Sequence, residues 1–289
     1  MKIIQLLVVV AAVLTAAAGA PAVTPGTLRR LNREEGAASK RRSIEITHPY
    51  VPGSMPVDPS HPQGLPSFSV PRSSIKNGEM ANTMDFTLNS HWGTHLDAPG
   101  YLNQTLLEQG RDIDSLNLDT LSGPCWVVDT PRGKNITSEV MEGLGIPRGV
   151  ERVLFKTLNT DRKLMNQPRF DPSYTAFTPD GAQYLVSNTD IKLVGIDYLS
   201  VGVGVEEDSI AVHRTFLNTL EIIPVEGLKL DEVEPGVYDV DCLPLSIPTL
   251  DGSPARCILA TVGSSGSSSS PGLLAVFFLQ FVTCFLFFA

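Results

Sequence analysis

The sequence predicts an α/β domain built on a mixed sheet. Two observations carry that expectation. Eight short runs are rich in β-branched residues and bounded by Gly, Pro, Asn or Asp, as strands are. Three longer segments carry helix start signals. They alternate with strands only in the middle of the chain, which argues against a clean doubly wound fold. The predicted strands are Ser43–Thr47, Met84–Leu88, Trp126–Asp129, Arg152–Lys156, Lys192–Ile196, Glu221–Val225, Val237–Val240 and Arg256–Val262. The predicted helices are Thr137–Leu144, Pro179–Asn188 and Ile210–Thr219. Thr137 or Ser138 can cap the first helix. Thr178-Pro179-Asp180 opens the second with a cap, a first-turn proline and an acid. Residues 51–75 hold many prolines and serines and read as one long loop, a kind of segment that often lines an active site.

The two ends of the chain read as addresses. Residues 1–20 carry one charge, Lys2, then an apolar run from Ile3 to Ala18 and an Ala18-Gly19-Ala20 cleavage pattern. This is a secretory signal peptide. At the other end, Gly263 to Gly272 is almost all Gly and Ser, and Leu273 to Ala289 carries no charge. A small-residue attachment site, a polar spacer and an apolar tail make a GPI-anchor signal, with Gly263, Ser264 and Ser265 as attachment candidates. The rival reading is a transmembrane helix. Seventeen residues fall short of the roughly 20 that a bilayer span needs, and no basic cluster follows them. The expectation is therefore a secreted protein on the extracellular face of the plasma membrane or in the extracellular matrix. Its domain spans residues 43–262, preceded by a basic arm at 21–42.

Loss of Lys2 with the leader takes the net charge from −9 to −10, which argues against a nucleic-acid partner. The mature length of about 245 residues suits one large domain. Of four cysteines, Cys284 lies in the apolar tail. Cys242 and Cys257 fall on consecutive predicted strands and are the candidate disulfide in an oxidising compartment. Cys125 sits in an apolar strand and reads as a buried thiol. Asn103-Gln-Thr and Asn135-Ile-Thr are N-glycosylation sequons.

The chemistry concentrates in His91-Trp92-Gly93-Thr94-His95-Leu96-Asp97-Ala98-Pro99. Two of the five histidines and a carboxylate share this stretch, spaced H-x3-H-x-D. Imidazole with carboxylate suits Zn²⁺, Mn²⁺ or Fe²⁺. Three protein ligands with one position open is the pattern of a catalytic metal site. Gly93 permits a sharp turn, so the motif reads as a strand end or loop rather than a helix. Two further candidates lie downstream. His213 sits on a helix of mostly apolar neighbours, which also suits a core histidine. Glu226 follows the apolar strand Ile222-Ile223-Pro224-Val225, at a strand end that faces either a site or solvent.

The motif resembles the H-x-G-T-H-x-D-A-P signature of the cyclase family, which includes kynurenine formamidases and isatin hydrolases. Other segments match in order. Glu45 to Pro56 resembles the family's opening segment, Val194 to Ser200 its central strand, His213 and Val225-Glu226-Gly-Leu its downstream ligands, and Ser253-Pro-Ala-Arg256 part of its closing hairpin. Ile146-Pro-Arg-Gly-Val and Phe155-Lys-Thr-Leu-Asn-Thr resemble the secreted plant branch. The resemblance implies a layered β/β/α domain of the swivelling type with a barrel-like sheet, as a homo-oligomer. It implies one divalent ion on His91, His95 and Asp97, and a second held or bridged by Asp97, His213 and Glu226. A metal-activated water would then attack a small-molecule amide, as in N-formylkynurenine going to kynurenine and formate. One departure stands out. The family signature continues P-x-H, and that histidine is its general acid/base, whereas this chain reads Pro99-Gly100-Tyr101. Tyrosine has an ordinary pKa near 10, so it is a poor base at pH 7. Three outcomes are open. Glu226 or His213 takes over proton transfer, Tyr101 acts as an acid or oxyanion donor, or the protein binds metal and ligand without turnover.

Overall fold

The computed structural model describes residues 42–204 and 207–261. The signal peptide, most of the basic arm, Val262, the three attachment candidates and the apolar tail lie outside the described residues. Among the described residues there are ten strands: β1 (Ser43–Glu45), β2 (Ser69–Ser73), β3 (Thr83–Phe86), β4 (His95–Asp97), β5 (Ser122–Asp129), β6 (Arg152–Lys156), β7 (Leu193–Ile196), β8 (Ile223–Glu226), β9 (Gly236–Pro244) and β10 (Gly252–Thr261). The helices are α1 (Gln104–Glu108), α2 (Leu118–Leu121), α3 (Ser138–Leu144), α4 (Leu158–Asp161), α5 (Pro179–Asn188) and α6 (Glu207–Leu217).

The main sheet runs β1-β10-β4-β8-β7-β6-β5-β9, and a further β9–β10 pairing closes it. The result is the mixed, barrel-like sheet with helices that the sequence and its resemblance lead one to expect. β5, β6, β7 and β8 are parallel neighbours, and the remaining pairs are antiparallel. β10 carries the closure. One of its edges pairs with β9 over Ala255–Thr261, and the other is shared by β4 at Gly252–Pro254 and β1 at Ile258–Ala260.

Strand alternation divides the core into two layers. Leu96, Cys125, Val127, Leu154, Leu193 and Val225 share one buried cluster. Their neighbours of opposite parity, Val128, Val153, Phe155, Val194 and Ile196, share a second cluster with the apolar faces of α3, α5 and α6. These elements bury both faces, which explains why their strands read as continuous apolar runs.

Several local expectations change. The segment 51–75 is not all loop. Ser69–Ser73 pairs with β3 as a separate two-stranded hairpin with exposed Val70, Met84 and Phe86. The third predicted helix begins at Glu207 rather than Ile210. Thr137 caps α3 by accepting from Val140 N, as expected of a capping threonine. Thr178 occupies the cap position of α5 without capping it, and its hydroxyl donates to the Ile136 carbonyl instead. Asp180 in turn accepts from Ser138 N and Oγ, tying α5 to the start of α3.

Candidate metal centre

The motif begins as a tight loop and ends as a strand. Gly93 has φ +69°, and a side chain there would strike the Tyr50 ring. Tyr50 Oη donates to the carbonyls of Trp92 and Thr94, and Thr94 Oγ1 donates to the carbonyl of Gly227. The loop is thus fastened to the turn that follows β8. β4 then continues as His95-Leu96-Asp97. Leu96 enters the buried apolar cluster, so alternation turns His95 and Asp97 to the other face together. His95 is the register partner of Glu226 on β8, which brings the two side chains side by side. Helix α6 covers this face and lowers His213 onto it.

The five predicted ligands meet in one place. His91 Nδ1 lies 2.9 Å from Asp97 Oδ1, His95 Nε2 lies 3.2 Å from Glu226 Oε2, and His213 Nε2 lies 3.0 Å from Glu226 Oε1. Asp97 Oδ2 lies 3.5 Å from His213 Nε2. Two groups of potential ligands result, His91–His95–Asp97 and Asp97–His213–Glu226, each with its donor atoms within 4.8 Å of one another. Glu226 is 3 % exposed, so it faces the cluster and not solvent. His213 is buried, as a core histidine is, but its free nitrogen faces two carboxylates.

The orientation of the rings suits a cation. His95 Nδ1 lies 2.9 Å from the Gly93 carbonyl and His213 Nδ1 lies 2.7 Å from the Ser209 carbonyl. A carbonyl only accepts, so each Nδ1 carries a proton and each Nε2 is the nitrogen that faces the cluster, with a lone pair for a cation once the ring is neutral. Among the described residues, the buried side-chain atoms with no hydrogen-bond partner are His95 Nε2 and Asp97 Oδ2. Buried polar atoms rarely go unpaired. An acceptor nitrogen and a carboxylate oxygen orphaned side by side fit a missing divalent ion, and the His/Asp/Glu donor set suits Zn²⁺ or Mn²⁺.

The electrostatics agree. Burial acts to depress the His91 pKa, yet its hydrogen bonds to Asp251 and Asp97 raise it to about 10. Burial likewise opposes His213, and Glu226 overcomes it to reach about 9. Burial works against ionised Glu226, but the hydrogen bond from His213 and the His95 ring 3.2 Å away hold it at about 2. Protons therefore balance the carboxylates where an ion would otherwise do so.

A cavity of about 390 Å³ opens over the cluster. Its walls include Trp92, Tyr101, Phe170, Tyr174, Leu199 and Ser200. A larger cavity of about 610 Å³ lies along β1 and β10 but contains none of the ligand groups. Tyr101 stacks on His91 with ring centroids 4.0 Å apart and sits edge-on to His213. Burial and then the charges of Asp97, Glu226 and Asp251 push its phenol pKa up, so it stays protonated.

The remaining predicted residues lie elsewhere. Asn103 caps α1, its side chain accepting from Leu106 N, while Asn135 is exposed beside α3. Cys242 and Cys257 face each other across β9 and β10 with their sulfurs joined. Cys125 is a buried free thiol, and burial pushes its pKa up to about 12. Sequence reasoning missed Asp251, whose Oδ2 lies 3.1 Å from His91 Nε2. It also missed Gly252, where a Cβ would stand 2.7 Å from His91 Cε1.

The profile of the family described as "Putative cyclase" matches residues 44–203. The chain belongs to the cyclase family. Cyclase-like protein 3 of Arabidopsis thaliana is 51 % identical over 220 residues, covering 76 % of this chain and 80 % of that protein. Cyclase-like protein 1 of the same plant is 47 % identical over 249 residues, covering 86 % and 94 %. Among solved structures, a predicted metal-dependent hydrolase from Bacillus stearothermophilus aligns with TM-score 0.63 and 29 % identity, over 78 % of this chain and all of that one. An isatin hydrolase bound to thioisatinate aligns with TM-score 0.64 over 82 % of this chain and 98 % of its own. At 19 % identity, that match extends the cyclase-family likeness at the level of fold alone.

Proposed function

We propose that this protein is a secreted, surface-anchored, metal-dependent amide hydrolase of the arylformamidase type. Its substrate would be an aryl formamide such as N-formylkynurenine. The observation that carries this reading is the pair of orphaned buried atoms, Nε2 of His95, which lines the cavity, and Oδ2 of Asp97, buried in the same ligand group. His91, His95 and Asp97 would hold one divalent ion, Zn²⁺ or Mn²⁺, and Asp97, His213 and Glu226 a second. A divalent ion bound there brings the pKa of its water near neutral and polarises a carbonyl. Glu226 is the proton acceptor, because its ionised carboxylate lies at the cavity floor and keeps Oε1 oriented by the Val201 N–H at 2.7 Å. Tyr101, kept protonated, donates a hydrogen bond to the carbonyl oxygen as charge develops on it. Trp92, Phe170 and Tyr174 give an aryl group apolar walls. The cysteine pair on β9 and β10 supports an oxidising, extracellular setting, in line with the leader and tail. A homo-oligomer belongs to the same reading.

Tyr101 favours a second reading, in which the fold survives as a cell-surface binding or signalling protein. The two separate in one assay. Protein lacking residues 264–289 is tested for N-formylkynurenine hydrolysis with and without a chelator, alongside Tyr101→His. Chelator-sensitive turnover by the parent supports the hydrolase. A silent parent with activity gained only in Tyr101→His supports the binder. General acid/base help is worth about 10²–10⁴-fold, which sets the gain to look for.

A further inference from the structure

His91 is held differently from the other two histidines. His95 and His213 each give Nδ1–H to a nearby carbonyl and turn Nε2 inward. His91 has a carboxylate at both nitrogens: Asp97 Oδ1 at 2.9 Å from Nδ1 and Asp251 Oδ2 at 3.1 Å from Nε2. Asp97 is fully buried and shared by both ligand groups, whereas Asp251 belongs to neither.

We propose that Asp251 is a positioning residue that fixes His91 as its Nε2–H tautomer, so that His91 offers Nδ1 to the metal while His95 and His213 offer Nε2. The inference rests on the metal-centre reading above. A neutral imidazole carries one proton. Asp251 accepts that proton at Nε2 and leaves the Nδ1 lone pair facing Asp97. Asp251 is itself held, since Ser90 Oγ donates to its Oδ1 at 2.9 Å and Ala98 N donates to its carbonyl at 2.9 Å. The next residue must be Gly252, because any Cβ there would enter the ring's space. Register places Gly252 opposite Asp97, so the start of β10 forms the back of a slot for His91. Tyr101 closes the slot by stacking on the ring. The chain has thus put a tyrosine where the family resemblance leads one to expect a proton-transfer histidine, and that tyrosine covers a ligand.

Two readouts test this on zinc-loaded protein lacking residues 264–289. Long-range ¹H–¹⁵N spectra should show His91 protonated at Nε2 and zinc-bound through Nδ1, with His95 and His213 the reverse. Competition against a chelating indicator should show zinc bound about 10- to 100-fold more weakly by Asp251→Ala, as expected when a ligand's carboxylate partner is lost. Asp251→Glu should recover most of that loss, which a merely structural role would not predict. Zinc bound through His91 Nε2, or held by Asp251→Ala as tightly as by the parent, overturns this inference while leaving the hydrolase reading intact. A parent that binds no zinc overturns both.

Discussion

His91 and His213 lie among Asp97, Glu226 and Asp251, and a proton on each imidazole offsets the buried carboxylates. That has a pH consequence whose sign is fixed. Their ordinary pKa is 6.5, and in the metal-free fold they reach about 10 and about 9. A raised pKa means stability that is complete below 6.5 and lost as pH climbs through 9 to 10. Metal-free protein should therefore melt at progressively lower temperature from pH 7 to pH 10. Metal-loaded protein should not, because an ion binds neutral imidazoles and releases those protons. Melting curves with and without chelator across this range check the prediction. A metal-free melting temperature that stays flat or rises would contradict it. At this scale the sequence was unusually readable, since the H-x3-H-x-D spacing named three ligands outright. His213 and Glu226 needed the family resemblance to lift them above a core histidine and a solvated acid. Asp251 was invisible, because it lies 160 positions from His91 in a hairpin turn with no pattern of its own.

The elements place the site by alternation and register. β4 is three residues long, yet its parity sends Leu96 one way and two ligands the other. β7 and α4 are joined by a buried carboxylate. Asp197, just beyond β7, accepts from the backbone N–H of Thr157 and Thr160 at 2.8 and 3.1 Å, and from both threonine hydroxyls. Burial raises its pKa despite these donors. Asn159 Nδ2 is a fifth donor, at 3.3 Å. Asp197→Ala would leave all five facing a gap and should cost about 3 kcal/mol, since each unsatisfied buried donor carries roughly 1–3 kcal/mol before relaxation. Chemical denaturation measures it, and a loss under about 1 kcal/mol would show that water replaces the carboxylate. β6 and α5 have the boundaries read from their β-branched run and their Thr-Pro-Asp opening, whereas the longer β5, β9 and β10 extend well beyond the runs read at 126–129, 237–240 and 256–262. The shortest helices were not legible. α1, α2 and α4 span one turn each, too little for a 3.6-residue period to show. β2 hid because Pro71 marks it as loop, although an edge strand of a hairpin tolerates proline.

At the scale of the whole molecule, closure of the sheet creates the site. β10 must meet β9 on one edge and both β4 and β1 on the other, and only then does Asp251-Gly252 reach His91. No local pattern announces such a closure, so the barrel came from resemblance, while the mixed α/β character came from the order of elements. The cavity then follows from what closure leaves uncovered: a charged floor of two imidazole–carboxylate groups under aromatic walls. If the protein is the proposed hydrolase, this floor holds a divalent ion required for amide hydrolysis. The most direct test is elemental analysis of the secreted protein and of His95→Ala, each assayed in parallel for N-formylkynurenine turnover. Removing a ligand should weaken binding beyond the roughly 10- to 100-fold that loss of a supporting partner costs. The parent should carry one or two equivalents of zinc or manganese and show measurable turnover, and His95→Ala should show neither. Turnover that persists in a metal-free parent, or survives His95→Ala undiminished, would contradict the metal requirement.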